Sequence, residues 1–146
     1  MSRYLAVTMV ILLACATPVR ADDAGDIRAV LNAQTAAWNA GDLEAFMDGY
    51  WRSPDLRFVS GNQVTRGWQA TLERYQQRYD TAAKRGTLQF SQLDIQTLGP
   101  ADRATAAHVF GRFTLRRPVG DATGLFTLVL RKINGQWRIV ADHTSS

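Results

Sequence analysis

AWNAGDLEAFMDGYW, Ala37 to Trp51, is the stretch whose reading decides the fold. Gly41 tolerates the left-handed backbone that follows a helix C-terminus, and Asp42 can cap the next helix by accepting its free N–H groups. One amphipathic helix therefore stops and another starts within two residues. Leu43, Phe46, Met47 and Tyr50 follow at i, i+3, i+4 and i+7, so the second helix buries one face and carries Tyr50 and Trp51 toward whatever it covers.

Upstream, Ile27, Val30, Leu31 and Trp38 share one face of a helix expected over about Asp23 to Asn39. Downstream, Leu56 to Ser60 and Gln63 to Arg66 are short extended runs about Gly61-Asn62, the turn pair of a tight hairpin. Gly67 releases the chain into a third helix, in which Trp68, Leu72, Tyr75 and Tyr79 line one face. From Thr87 the period changes to alternation. Three long strands are expected as an antiparallel meander, punctuated at 99–102, 118–121 and 134–135. Leu88 and Phe90 have one parity and Leu93 and Ile95 the other, which calls for a β-bulge near Ser91 or Gln92. The fold class is α+β: a cone-shaped, bent antiparallel sheet with three N-terminal helices packed on its concave face.

The first residues have a different character. Arg3 precedes an apolar run, Tyr4 to Ala14, too short to span a bilayer and followed by Val19-Arg20-Ala21, a small-residue cleavage site. Residues 1–21 are read as a signal peptide and 22–146 as one domain that is exported, periplasmic or secreted. Leu12-Leu13-Ala14-Cys15 supports an alternative, a lipoprotein signal ending before Cys15, with lipid anchoring there and a membrane partner only in that case. Cys15 is the one cysteine, so a chain cut after Ala21 carries no disulfide and its stability rests on packing.

Losing Arg3 and Arg20 takes the formal charge from +4 to +2, and no basic stripe interleaves with aromatics, which argues against nucleic acid. Two separated histidines and no paired-carboxylate or H-x-x-x-H spacing argue against a metal site, and no phosphate loop or G-x-S-x-G elbow appears. No cofactor is expected.

The order of elements, with Trp38-Asn39-Ala40-Gly41-Asp42, Arg66-Gly67-Trp68 and the closing Trp137-Arg138-Ile139-Val140-Ala141-Asp142-His143-Thr144-Ser145, resembles the nuclear transport factor 2-like superfamily. Its SnoaL-like and ketosteroid-isomerase-like branch is the nearest in pattern, and the ending is also similar to the association domain of calmodulin-dependent kinase II. The resemblance spans Asp26 to Ser145 and implies a cavity between helices and sheet, in a fold that hosts isomerases, hydrolases, binding modules and assembly domains. Steroid isomerisation does not carry over, because no aspartate base and second buried acid match specific positions here: Asp42 reads as a helix cap and Asp48 lies on a polar face.

Within such a cone the candidates are polar and aromatic residues that alternation can turn inward. In the last strand Trp137, Ile139, Ala141 and His143 share one side and Arg138, Val140, Asp142 and Thr144 the other, so at most one of Asp142 and His143 is catalytic unless the strand bulges. His143 has the better intrinsic pKa, whereas Asp142 needs an apolar pocket to raise its own. Tyr50, Trp51, Phe58, Trp68 and Tyr75 are candidates for an aromatic ligand wall. An inward Arg66 or Arg112 would favour an anionic group, and His108 and Arg112 share a strand face with Phe110 that lines a pocket or meets a second subunit. Apolar residues on both parities of the strands favour a homodimer through the sheet. The expected function is to hold a small hydrophobic or weakly anionic ligand, with or without acid-base chemistry on it. The alternative is a non-catalytic assembly domain.

Overall fold

The computed structural model describes residues 22–100 and 103–145; the expected leader, with Cys15, lies outside the described residues, as does part of the turn at 99–102. Helix α1, Asp23–Ala40, starts where Asp22 Oδ1 accepts the Gly25 N–H at 3.0 Å, and it buries Ile27, Leu31, Gln34 and Trp38 along one face. It ends at Gly41, whose φ of 83° is the left-handed conformation expected there, with the Gly41 and Asp42 N–H groups closing on Trp38 O and Ala37 O, each at 2.9 Å. Asp42 then caps α2, Leu43–Met47, through an Oδ1 to Ala45 N–H bond of 2.9 Å.

Helix α2 stops earlier than the apolar spacing suggests. Tyr50 lies beyond its end because Gly49 O accepts the Ile139 N–H and Ile139 O accepts the Trp51 N–H, both at 2.9 Å, and these bonds to a strand replace a further helical turn. Gly49 is required at this crossing, since a Cβ there would lie 2.8 Å from the Gln34 side chain.

Strands β1, Arg57–Ser60, and β2, Gln63–Arg66, form the hairpin. Helix α3, Trp68–Arg78, and the one-turn α4, Ala82–Arg85, follow. The alternating region holds four long strands rather than three: β3, Thr87–Leu98; β4, Ala106–Arg116; β5, Ala122–Ile133; and β6, Gln136–Thr144. Among the described residues these six strands form one open sheet in the order β2-β1-β6-β5-β4-β3. It is mixed, not purely antiparallel, because the early hairpin docks β1 against the C-terminal β6 in parallel register. The bulge on β3 falls between Ser91 and Asp94, with Gln92 at a φ of 54°. Among the described residues no helix is long and apolar enough to cross a membrane.

The core lies between the helices and the face carrying Leu88, Ala107, Val109, Leu115, Phe126, Leu128, Leu130, Trp137 and Ile139. Asn39 fixes α1 to that sheet by pairing with a strand residue as another strand would: its Oδ1 accepts the Leu88 N–H at 2.7 Å and its Nδ2 donates to Leu88 O at 3.2 Å. At the other end of α1, buried Asp23 Oδ1 accepts both Lys132 Nζ at 2.5 Å and Trp137 Nε1 at 3.1 Å.

Trp137 is only 3% exposed. Its replacement by alanine removes a large buried ring and leaves a cavity, so Trp137→Ala should cost about 3–5 kcal/mol in reversible denaturation, and a cost under about 1 kcal/mol would contradict that burial. The Lys132 hydrogen bond, aided by that of Trp137, holds the Asp23 carboxyl below the usual carboxylate range against the opposing effect of its burial. A depressed folded value means that this stabilisation is present above the unfolded value, about 3.9, and is lost as pH falls through the folded one. Asp23→Asn should therefore lower stability at neutral pH by about 1–3 kcal/mol and flatten the acid limb of a melting-temperature profile.

Candidate functional site

The last strand carries a bulge that its alternation alone does not reveal. Leu130 pairs with Ile139 but Val129 pairs with Ala141, so Val140 is an extra residue. Inward facing then runs Trp137, Ile139, Asp142, Thr144 instead of holding one parity, and Asp142 turns onto the apolar face while His143 turns off it. The tether at Ile139 brings Tyr50 to the same place. Tyr50 Oη donates to Asp142 Oδ2 at 2.7 Å and Thr144 Oγ1 donates to Asp142 Oδ1 at 2.9 Å, with Tyr50 4% and Asp142 5% exposed.

This pair stands in the wall of a pocket of about 140 Å³. Trp38 from α1, Phe46 from α2, Phe58 from β1, Tyr75 from α3 and Tyr79 just beyond the end of α3 form one aromatic side. Trp38 packs edge-on to Phe46 at 5.1 Å and to Tyr79 at 4.8 Å, and Tyr75 meets Phe46 at 5.2 Å and Phe58 at 5.3 Å. Phe90, Phe113, Phe126 and Leu128 of the sheet form the other.

Burial pushes the Asp142 carboxyl up to about 6, although the hydrogen bonds from Tyr50 and Thr144 and the charge of His143 act the other way. Burial, together with the Asp142 charge, also raises the Tyr50 and Tyr75 hydroxyls well above the ordinary phenol value. The arrangement can therefore offer a carboxyl that gains or loses a proton near neutrality, next to hydroxyl donors that stay protonated.

Of the residues expected from the sequence to form the site, Asp142, Tyr50, Phe58 and Tyr75 line the pocket, and Trp51, Arg66, Trp68, His108, Arg112 and His143 do not. His143 is exposed on the opposite face, opposite Thr127. His108 and Arg112 share that outer face, where Arg112 Nε donates to Gln92 Oε1 at 3.2 Å. Arg66 is exposed on β2, Trp51 is half-buried, and Trp68 is buried outside the pocket, its Nε1 donating to Met47 O at 2.8 Å beneath the Arg52 guanidinium. Thr144, the hydroxyl neighbour of the expected pair on the last strand, also lines the pocket, as do Trp38 and Phe46, which the sequence offers only as core although their helical period already aims them at the sheet. Sequence reasoning passed over Arg74, Arg78 and Arg117 at the pocket, for which no local pattern gave a signal. Among the described residues no cluster of histidine, cysteine and carboxylate groups could hold a metal ion.

A cone-like α+β fold with an apolar pocket between helices and sheet defines the class, and the SnoaL-like domain family matches residues 27–146; the chain belongs to it. An NTF-2 like protein of unknown function from Shewanella oneidensis MR-1 is 38% identical, with a TM-score of 0.78 over 84% of this chain and 98% of that one. An NTF2-like superfamily protein from Salmonella enterica serovar Typhimurium LT2 is 25% identical, with a TM-score of 0.65 over 84% and 89%. A putative calcium/calmodulin dependent protein kinase II association domain from Xanthomonas campestris shares the fold at 19% identity, with a TM-score of 0.67 over 90% and 92%. A comparison with curated proteins finds no match.

An acid whose folded pKa is raised contributes stability that is fully present below the unfolded value and is lost as pH rises through the folded one. For Asp142 that window runs from about 4 to about 6, and at neutral pH the ionised group opposes folding by on the order of 3 kcal/mol. Asp142→Asn, which keeps a hydrogen-bonding group beside Tyr50 and Thr144, should raise the melting temperature at neutral pH and remove the stability change across this window. An unaltered pH profile in thermal denaturation would place the titrating group elsewhere.

Proposed function

We propose that this protein binds a small, mainly hydrophobic molecule in the aromatic pocket, with the Asp142–Tyr50 pair as its polar contact. The observation that carries the reading is a carboxyl group enclosed in the wall of an apolar pocket, hydrogen-bonded to two hydroxyl groups and ion-paired to no cationic side chain among the described residues of the pocket. Such groups concentrate at functional sites. When protonated, Asp142 is a donor to a ligand carbonyl; when ionised, it is a base toward an acidic C–H or O–H group. Its tuning toward neutrality favours acid-base chemistry on the bound molecule as a second reading. The leader pattern in residues 1–21 supports placing this binding domain outside the cytoplasm.

Acetophenone, one ring with one carbonyl acceptor, is a suitable probe. It should perturb the amide resonances of Tyr50, Phe126 and Asp142 and bind more tightly at pH 5 than at pH 8, and Asp142→Asn should abolish that pH dependence. No perturbation at millimolar probe would count against the binding reading.

The outer sheet face favours a homodimer as a separate property. Phe110, 41% exposed, and Leu125 and Val129, 36% and 40%, lie on the adjacent strands β4 and β5 with Arg112, His108 and His143 around them. An apolar patch with a polar rim is the pattern of a subunit contact. Sedimentation should give a dimer mass at micromolar concentration and a monomer mass for Phe110→Glu, and a monomeric wild-type chain would dismiss the contact.

A further inference from the structure

The solvent side of the pocket is positively charged. Arg74 and Arg78, four residues apart on α3, and Arg117, in the turn after β4, all line it. Arg78 is exposed and Arg74 and Arg117 are half-buried, whereas Asp142 is fully enclosed, so the three guanidinium groups sit at the rim.

Among the described residues none of the three is paired with a carboxylate side chain. Arg74 donates to Gln63 Oε1 at 2.8 Å and lies 5.6 Å from the Phe58 ring centroid, Arg78 lies 5.8 Å from that of Tyr79, and Arg117 Nε donates to Gly120 O at 2.8 Å. The acids nearby in sequence are engaged otherwise: Glu73 accepts from Gln69, Asp80 pairs with Lys84 at 2.9 Å, and Asp121 takes the Arg117 backbone N–H and the Arg116 guanidinium. Covering apolar surface explains the long stems of such side chains. It does not explain three charged heads from two separate segments, each steadied by a neutral group or a ring and each keeping donors free, around one apolar pocket.

The volume bounds the apolar part of the occupant. A cavity of about 150 Å³ lined by aliphatic and aromatic side chains takes a benzene ring, and the pocket here is of about 140 Å³. One ring or a short branched alkyl group fills it. A single negative charge suits the rim better than a double one, because the Asp142 carboxylate faces the same pocket at neutral pH.

We propose that the ligand is a short carboxylic acid bearing one ring or a branched alkyl end, with that end among the aromatic side chains and its carboxylate held at the rim by Arg74, Arg78 and Arg117. The planar fork of arginine matches a carboxylate through paired hydrogen bonds. This identification rests on the pocket-binding reading and adds the charge and its location.

Calorimetric titration with 3-phenylpropionate, 3-phenylpropionamide and 3-phenylpropylamine tests it, because the three differ in charge at nearly constant shape. At neutral pH the acid should bind about tenfold or more tighter than the amide, the amine should bind most weakly, and added salt should reduce the preference. The Arg74→Gln/Arg117→Gln double variant should bring acid and amide to within about twofold, with its folding checked separately by an unchanged circular dichroism spectrum and cooperative thermal melting. The proposal is overturned if the amide matches the acid on the wild-type protein, or if the acid keeps its advantage on the double variant. If all three fail while acetophenone binds, the carboxylate assignment falls and the pocket reading stands. If acetophenone fails as well, both fall.

Discussion

Ile139 exchanges both of its backbone hydrogen bonds with the segment that leaves α2, giving its N–H to Gly49 O and its carbonyl to the Trp51 N–H. The arrangement around the buried carboxylate depends on that exchange. It stops α2 at Met47, which frees Tyr50 to reach across to β6, and it needs Gly49 because the crossing runs against the Gln34 side chain. The very next residue, Val140, is the bulge. Without it, Asp142 would share a face with Arg138 and Val140, the Tyr50 hydroxyl would meet no acceptor there, and burying it unpaired would carry a desolvation penalty of about 1–3 kcal/mol. One tether and one inserted residue thus place donor and acceptor 2.7 Å apart although 92 positions separate them in sequence.

The same region sets two opposing electrostatic requirements within one small domain. Asp23 stabilises as an anion because Lys132 and Trp137 both donate to it, whereas Asp142 opposes folding as an anion because two hydroxyl groups do not offset its burial. The first group is satisfied by the packing of α1 on the β5–β6 hairpin. The second is tolerated because packing elsewhere supplies the difference: the Asn39 clamp on Leu88 and the edge-on rings around Trp38 join elements that do not carry the carboxylate, and Trp137 is enclosed at the far end of the strand that does.

The fold was legible because its decisive signals are local. The left-handed Gly41, the Asp42 cap, the Gly61-Asn62 hairpin and the parity change after Phe90 are each written within a few residues, and each appears in the structure where the sequence implies it. Long-range facts were not legible. Nothing near Arg57 indicates that its strand runs parallel to the chain's last one, and no local pattern distinguishes Val140 from an ordinary alternating residue. Three of the expected wall residues, Tyr50, Phe58 and Tyr75, line the pocket because the apolar faces of short elements have only the sheet to cover. The expected arginines do not, because strand parity near bulges decides the side and β2 lies at the sheet edge.

Asp142 and His143 show why adjacent residues in such a strand can serve unrelated purposes. The pleat sends the first into an enclosed, low-dielectric space, where its charge is expensive and its proton is held to a higher pH, and the second into solvent beside the exposed apolar residues of β5. If the outer face takes a second copy of the chain and the inner face a small molecule, as proposed, only the thickness of the sheet lies between the two. Val129 belongs to the outer patch, and its neighbours Leu128 and Leu130 are buried on the inner side, where Leu128 is a pocket wall; Leu128 also pairs directly with Asp142. A shift of β5 against β6 produced by contact on the outside would therefore move the pocket wall and the carboxylate relative to one another.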